Sequence, residues 1–165
     1  DCSFEETDLC KLVTEEKSRG LEQKDYALID KAYEKVKQWM ESESVKCSLA
    51  HGDFTPWNVY VNGNSLYMFD LEYSQDKATP FFDFYHYIFQ TAIVSKKNTI
   101  SYIEKMYEKY CDQINEKTDA KMAFMAYLVY IIYFYFNRYD TVYTTNRNQY
   151  ATRIEMLQKL LEETE

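Results

Sequence analysis

The stretch His51-Gly52-Asp53-Phe54-Thr55-Pro56-Trp57-Asn58, with Asp70-Leu71-Glu72 beginning twelve positions after Asn58, decides how this chain is read. Between the two segments lie Val59-Tyr60-Val61 and Leu66-Tyr67-Met68-Phe69, separated by Asn62-Gly63-Asn64. β-branched and aromatic runs on either side of an Asn-Gly turn predict a hairpin. A hairpin folds the chain back so that its open ends lie side by side. Asn58 enters the first strand and Asp70 leaves the second, which brings an amide oxygen and a carboxylate together. Both are hard oxygen donors of the kind magnesium takes with water and phosphate oxygens. Asp53 lies just upstream, on a loop stiffened by Pro56, where it could accept a proton beside such a metal. Glu72, two positions beyond Asp70, is expected on the same side of an extended segment.

Phosphoryl transfer needs such a set: a metal to neutralise phosphate charge and a carboxylate to orient the nucleophile. The order of parts matches the protein-kinase catalytic loop, H-R-D-x-x-x-x-N followed by the D-F-G aspartate, with the same interval from loop Asp to Asn. Taken singly, His51 is a structural histidine, Asp53 a turn cap and Asn58 a strand start. Their order, with a hairpin between, favours the functional reading.

H-G-D-x-x-P-x-N followed by D-x-E resembles the aminoglycoside phosphotransferase and choline kinase family, the protein-kinase-like small-molecule kinases. Asp70-Leu71-Glu72-Tyr73 is especially similar to the D-x-E-Y stretch of choline and ethanolamine kinases, and Phe82-Asp83 to the aspartate before the family's next helix. The resemblance is strong over residues 49–90. It implies a helical C-terminal lobe of a protein-kinase-like fold (mainly α, of the α+β kind), with a small hairpin carrying the catalytic loop. It implies that Asp53 is the catalytic base and that Asn58 and Asp70 hold Mg2+ against ATP. His51 would brace the loop, Asp83 would tie down nearby backbone, and Glu72 would assist the metal or face the substrate. The substrate would be the hydroxyl of a small molecule: an amino alcohol, a sugar or an aminoglycoside.

The pattern departs from the family in two ways. There is no G-x-G-x-x-G and no Lys on a convincing strand ahead of a helix, and Trp57 is bulkier than the residue usual after this proline. The 165 residues are therefore expected to be one domain, the C-terminal catalytic lobe, with the N-terminal nucleotide-binding lobe absent. Alone, such a lobe should bind ATP poorly. A catalytically silent kinase-like binding or regulatory domain is the rival reading, and a metal-dependent hydrolase using the same carboxylates a third.

Around this centre the chain reads as helix. Leu9, Leu12 and Val13 suggest a short helix over 5–19. Tyr26, Ile29, Tyr33, Val36, Trp39 and Met40 recur at helical spacing and mark one buried stripe that fades near 42–44. Pro80 suits the first turn of a further helix. Three more follow, over 99–116, over 119–138 and through Ile154, Leu157, Leu160 and Leu161. The 122–136 segment is apolar nearly all round but short of the ~20 residues a bilayer span needs, so a central core helix is expected. Tyr130, Tyr133, Tyr135 and Tyr139 read as core packing ahead of a cage for a quaternary ammonium.

Composition agrees with a globular domain: 46% hydrophobic and 28% charged, with 17 Tyr and 10 Phe. A net charge of −8 gives no general attraction for phosphate backbones and argues against nucleic-acid binding. It leans toward cations, including magnesium and amino alcohols. The four cysteines (Cys2, Cys10, Cys47, Cys111) form no C-x-x-C pair and read as reduced thiols of a cytoplasmic protein.

Overall fold

The apolar 122–136 segment becomes the middle of the central helix, α5 (Ala120–Arg138). Asp119 starts it, its Oδ1 accepting the N–H groups of Lys121 and Met122 at 2.9 and 3.1 Å. From Met122 to Tyr133 every residue but Tyr130 is buried, so the helix meets protein on all sides. The computed structural model describes residues 3–18, 25–95, 99–111, 119–138 and 147–164. Among these, α1 (Asp8–Ser18), α2 (Tyr26–Ser42), α3 (Phe82–Val94) and α6 (Arg147–Glu163) all pack on α5. Helix α4 (Thr99–Cys111) closes the far side against α3 and α6. The expected continuation of α4 toward residue 116 lies outside the described residues.

The aromatic residues knit α3 to α5. Tyr85 stacks on Phe124 at 4.8 Å, and Phe82 meets Tyr127 and Tyr130 edge-on at 5.2 and 5.0 Å. Tyr85 also donates its hydroxyl to the Ala120 carbonyl at 2.8 Å. The α2 stripe is buried as its spacing predicts, except for Tyr26, which stays at the surface beneath the Lys17 ammonium. The first helix departs from its prediction in being two pieces. A 3-10 turn (Phe4–Glu6) ends at Thr7, whose hydroxyl bonds back to the Phe4 carbonyl and forward to the Cys10 N–H, starting α1 afresh.

Two small antiparallel sheets interrupt the helices. The predicted hairpin forms from β2 (Val59–Asn62) and β3 (Ser65–Met68), paired from Val59↔Met68 to Asn62↔Ser65. Gly63 turns the chain with φ +59°. The second sheet joins β1 (Ser48–Ala50) to β4 (Gln75–Ala78). Nothing in Gln75-Asp76-Lys77-Ala78 alternates like a strand; pairing with β1 and support from the N-terminal segment make it one. Asp8 accepts the Lys77 N–H at 2.7 Å, and Glu6 pairs with the Lys77 ammonium at 2.8 Å.

Mainly helical architecture with small antiparallel sheets is thus the observed fold class. No described helix is long and apolar enough to cross a membrane. Cys10 is a free thiol, but Cys47 is disulfide-bonded, which corrects the reading of four reduced cysteines and removes the ground on which a cytoplasmic setting was expected.

Because α5 is enclosed, its side chains have no room to relax outward. We expect Leu128→Ala, at a fully buried position, to cost about 2–5 kcal/mol, measured as a lower midpoint in chemical denaturation with unchanged slope.

Candidate active site

The loop between β1 and β2 is held by the first turn of α3. Asp83 Oδ2 accepts the His51 N–H at 2.7 Å and Asp83 Oδ1 the Gly52 N–H at 3.0 Å, so one carboxylate satisfies two successive backbone donors. A negative charge in the first turn also suits the helix dipole. On the other side Gly52, at φ +83°, lies against the backbone of Tyr73, where a Cβ would fall 1.9 Å from the Tyr73 carbonyl oxygen. Only glycine fits.

His51 is buried and spans the hairpin base: its Nε2 donates to the Phe69 carbonyl at 2.7 Å and its Nδ1 accepts the Asp53 N–H at 3.4 Å. It therefore ties the two ends of the site together, Asp53 on one side and the residue before Asp70 on the other. The Phe69 N–H bonds the Asn58 carbonyl at 2.9 Å, extending the hairpin ladder by one step. The register thus sets Asn58 opposite Phe69, the residue before Asp70, at the hairpin mouth.

Asn58 is buried and turns its side-chain nitrogen on Asp53, reaching the carboxylate Oδ2 at 2.8 Å and the Asp53 carbonyl at 3.0 Å. Asp53 receives a second side-chain donor at Oδ1, the Nε2 of His86 at 2.9 Å. His86 did not emerge from the sequence, yet a signal was there. It stands three residues after Asp83 on α3, hence on the same helical face, and a face that turns Asp83 to the loop turns His86 there as well. The hydrogen bond from His86 is the chief cause holding the Asp53 carboxyl below the ordinary aspartate range, with help from the Asn58 amide and against partial burial.

The hard-oxygen pair is available. With its nitrogen committed to Asp53, Asn58 leaves its carbonyl oxygen without a described donor, and the exposed Asp70 carboxylate has no described partner. Asp70 leaves the hairpin in the left-handed region, φ +63° and ψ +62°. Two oxygen donors fit Mg2+, which keeps several waters and takes the rest of its shell from phosphates. Among the described residues no group of three or more His, Cys, Asp and Glu side chains forms a self-contained metal site.

Glu72 requires a correction. Leu71–Tyr73 is a 3-10 turn, so the alternation that put Glu72 on the side of Asp70 does not apply. Glu72 is exposed on that turn. Trp57 is exposed too, so its bulk meets solvent. The tyrosine cage is filled from within: Tyr130 packs on Phe82, Tyr133 is buried, and the Arg153 guanidinium covers the Tyr135 ring at 4.6 Å. Tyr139 lies outside the described residues. A groove of about 740 Å³ behind the loop, lined by Val45, Cys47, Leu49, Phe81 and Phe84 among others, includes neither Asp53, Asn58 nor Asp70.

No family model, curated protein or solved structure matches this chain. The site therefore stands on its own geometry.

Two outcomes follow from it. Asp83→Ala leaves two loop N–H groups unpaired and should cost on the order of 3 kcal/mol, with Asp83→Asn losing less; thermal denaturation of the two variants checks this. Because Asp53 titrates lower in the folded chain than unfolded (about 3.9), its contribution to stability is complete above that pH and is lost as pH falls through the folded value. The stability gap between wild type and Asp53→Asn should therefore narrow on acidification below about pH 4, as followed by urea titrations from pH 6 to pH 3.

Proposed function

We propose that this chain is the catalytic lobe of an ATP- and Mg2+-dependent phosphotransferase acting on a hydroxyl of a small molecule. One observation carries the reading: Asp53 and Asn58 are hydrogen-bonded side chain to side chain, while the hairpin register returns Phe69, the residue before Asp70, opposite Asn58. Asn58 and Asp70 would hold the metal, which supplies charge neutralisation at the phosphates. Asp53 orients the acceptor hydroxyl and takes its proton as that oxygen bonds to phosphorus and the bond to the departing ADP oxygen breaks. A carboxylate kept ionised suits this role, since a loose transition state asks more for orientation than for a strong base.

The nucleotide half would come from a second lobe. The hairpin offers it a surface: Tyr60, Val61, Leu66, Tyr67 and Met68 are all exposed, so apolar side chains project from both faces of the ribbon. The acidic balance of the chain favours a cationic acceptor such as an amino alcohol over a neutral sugar.

A silent kinase-like binding domain is the second reading, favoured by one fact: both Asp53 oxygens already accept hydrogen bonds within the protein, as those of a structural aspartate would. A carboxylate offers about four acceptor positions, so two remain for a substrate.

In the polypeptide that carries both lobes, Asp53→Asn should lower phosphate transfer from ATP to a panel of amino alcohols, sugars and aminoglycosides by about 10²–10⁴-fold. Asp70→Asn should raise the magnesium concentration needed for nucleotide binding. Near-normal transfer by Asp53→Asn would sink the assignment, and nucleotide binding indifferent to magnesium would favour the silent domain.

A further inference from the structure

His86 is the only described side chain that links the loop carboxylate to the core. It is almost wholly buried, at 1% exposure, with its ring stacked on Phe82 at an interplanar angle of 9° and edge-on to Tyr127. Its Nε2 meets Asp53 Oδ1 at 2.9 Å and its Nδ1 meets the Tyr127 hydroxyl at 3.3 Å. An ionised carboxylate can only accept, so Nε2 carries the proton. In the neutral form of the ring, Nδ1 is then an acceptor, and the Tyr127 hydroxyl donates to it. Tyr127 itself is fully buried on α5, and burial pushes its hydroxyl well above the usual tyrosine range, so it remains a donor throughout the physiological pH span.

We propose that His86 is a positioning residue that fixes the plane of the Asp53 carboxylate, with Tyr127 locking the histidine in its Nε2–H tautomer. The role rests on the phosphotransferase reading in so far as Asp53 is the base being positioned. The geometry supports positioning over mere space filling. A carboxylate held at Oδ2 alone, by Asn58, can still swing about that contact. Held at Oδ1 as well, by a ring wedged between Phe82 and Tyr127, it has one orientation. The anchor is the most enclosed helix of the protein, so the alignment of a loop side chain is set by core packing. Asp83 and His86 divide the work along one face of α3: the first fixes the loop backbone, the second fixes the carboxylate it carries.

Two measurements separate this inference from the reading it rests on. Nitrogen-15 NMR of the chain should show His86 as a single neutral Nε2–H tautomer and the Asn58 side-chain amide slow to exchange. Tyr127→Phe should mix the tautomers, and His86→Leu should speed Asn58 amide exchange, while His86→Gln, which keeps a donor near the Nε2 position, should restore it. An Nδ1–H tautomer, or Asn58 exchange indifferent to both His86 variants, overturns the proposal. Should His86→Leu fail to fold, Tyr127→Phe and His86→Gln still decide it. Magnesium-ATP turnover with water as acceptor, in the polypeptide carrying both lobes, then reads the consequence. His86→Leu should lower kcat by about tenfold to a hundredfold at constant KM for ATP, and His86→Gln should recover most of it. A KM change without a kcat change overturns the positioning role. Absence of any turnover by wild type, alongside the expected NMR pattern, counts against the phosphotransferase reading and leaves the Asp53–His86 geometry standing.

Discussion

A loop that turns sharply between two strands cannot satisfy its backbone through regular secondary structure, and here the Asp83 carboxylate resolves that conflict. By accepting the N–H groups of His51 and Gly52 it supplies what a neighbouring strand would have supplied, at a point where the chain must turn sharply. The Tyr73 backbone closes the other side against Gly52. Everything nearby follows from this clamp. With Asp83 facing the loop, the rotation of α3 about its axis is set; with that rotation set, His86 faces Asp53, while Phe82 and Tyr85 face α5. The β1–β4 pairing joins the strand leading into the loop to the strand leading into α3, so the two partners of the clamp are delivered together.

The protein buries charge in two contrasting ways. Asp53 is only partly enclosed and is surrounded by donors, so its negative charge is favoured where it stands. Arg153 on α6 is almost entirely buried, and its Nε and Nη2 atoms have no hydrogen-bond acceptor among the described residues. Aromatic faces receive it instead, Tyr135 at 4.6 Å and Phe89 at 5.8 Å, while desolvation pulls its pKa down. The first arrangement keeps a carboxylate charged and partly open to solvent. The second uses a cation as packing material, and the ring face of Tyr135 that it covers is closed to an incoming ammonium.

The sequence made the hairpin and its register legible because Gly63 admits one tight turn and the flanking runs admit one pairing. The α2 stripe was legible from its helical periodicity, and the central place of α5 from a segment apolar nearly all round. What escaped depended on contacts between distant segments. The strand character of Gln75–Ala78 comes from β1 and from Asp8, not from its own residues. The turn at Leu71–Tyr73 follows the left-handed backbone of Asp70, a conformation that motif spacing does not encode, and it undid the argument placing Glu72. The bond at Cys47 needed a spatial neighbour, which cysteine spacing alone does not give. His86 lay between these cases, since its helical phase with Asp83 was readable while the direction of that face was not.

The β2–β3 hairpin has a mechanical consequence. It is a two-stranded ribbon with side chains in solvent on both faces, joined to the rest of the protein at its mouth through Asn58, Phe69 and His51. A ribbon held only at one end passes a displacement of its tip to the contacts at that end. Those anchors are the bond from His51 to the Phe69 carbonyl and the bond from the Phe69 N–H to the Asn58 carbonyl, so the loop and the hairpin share the same few contacts.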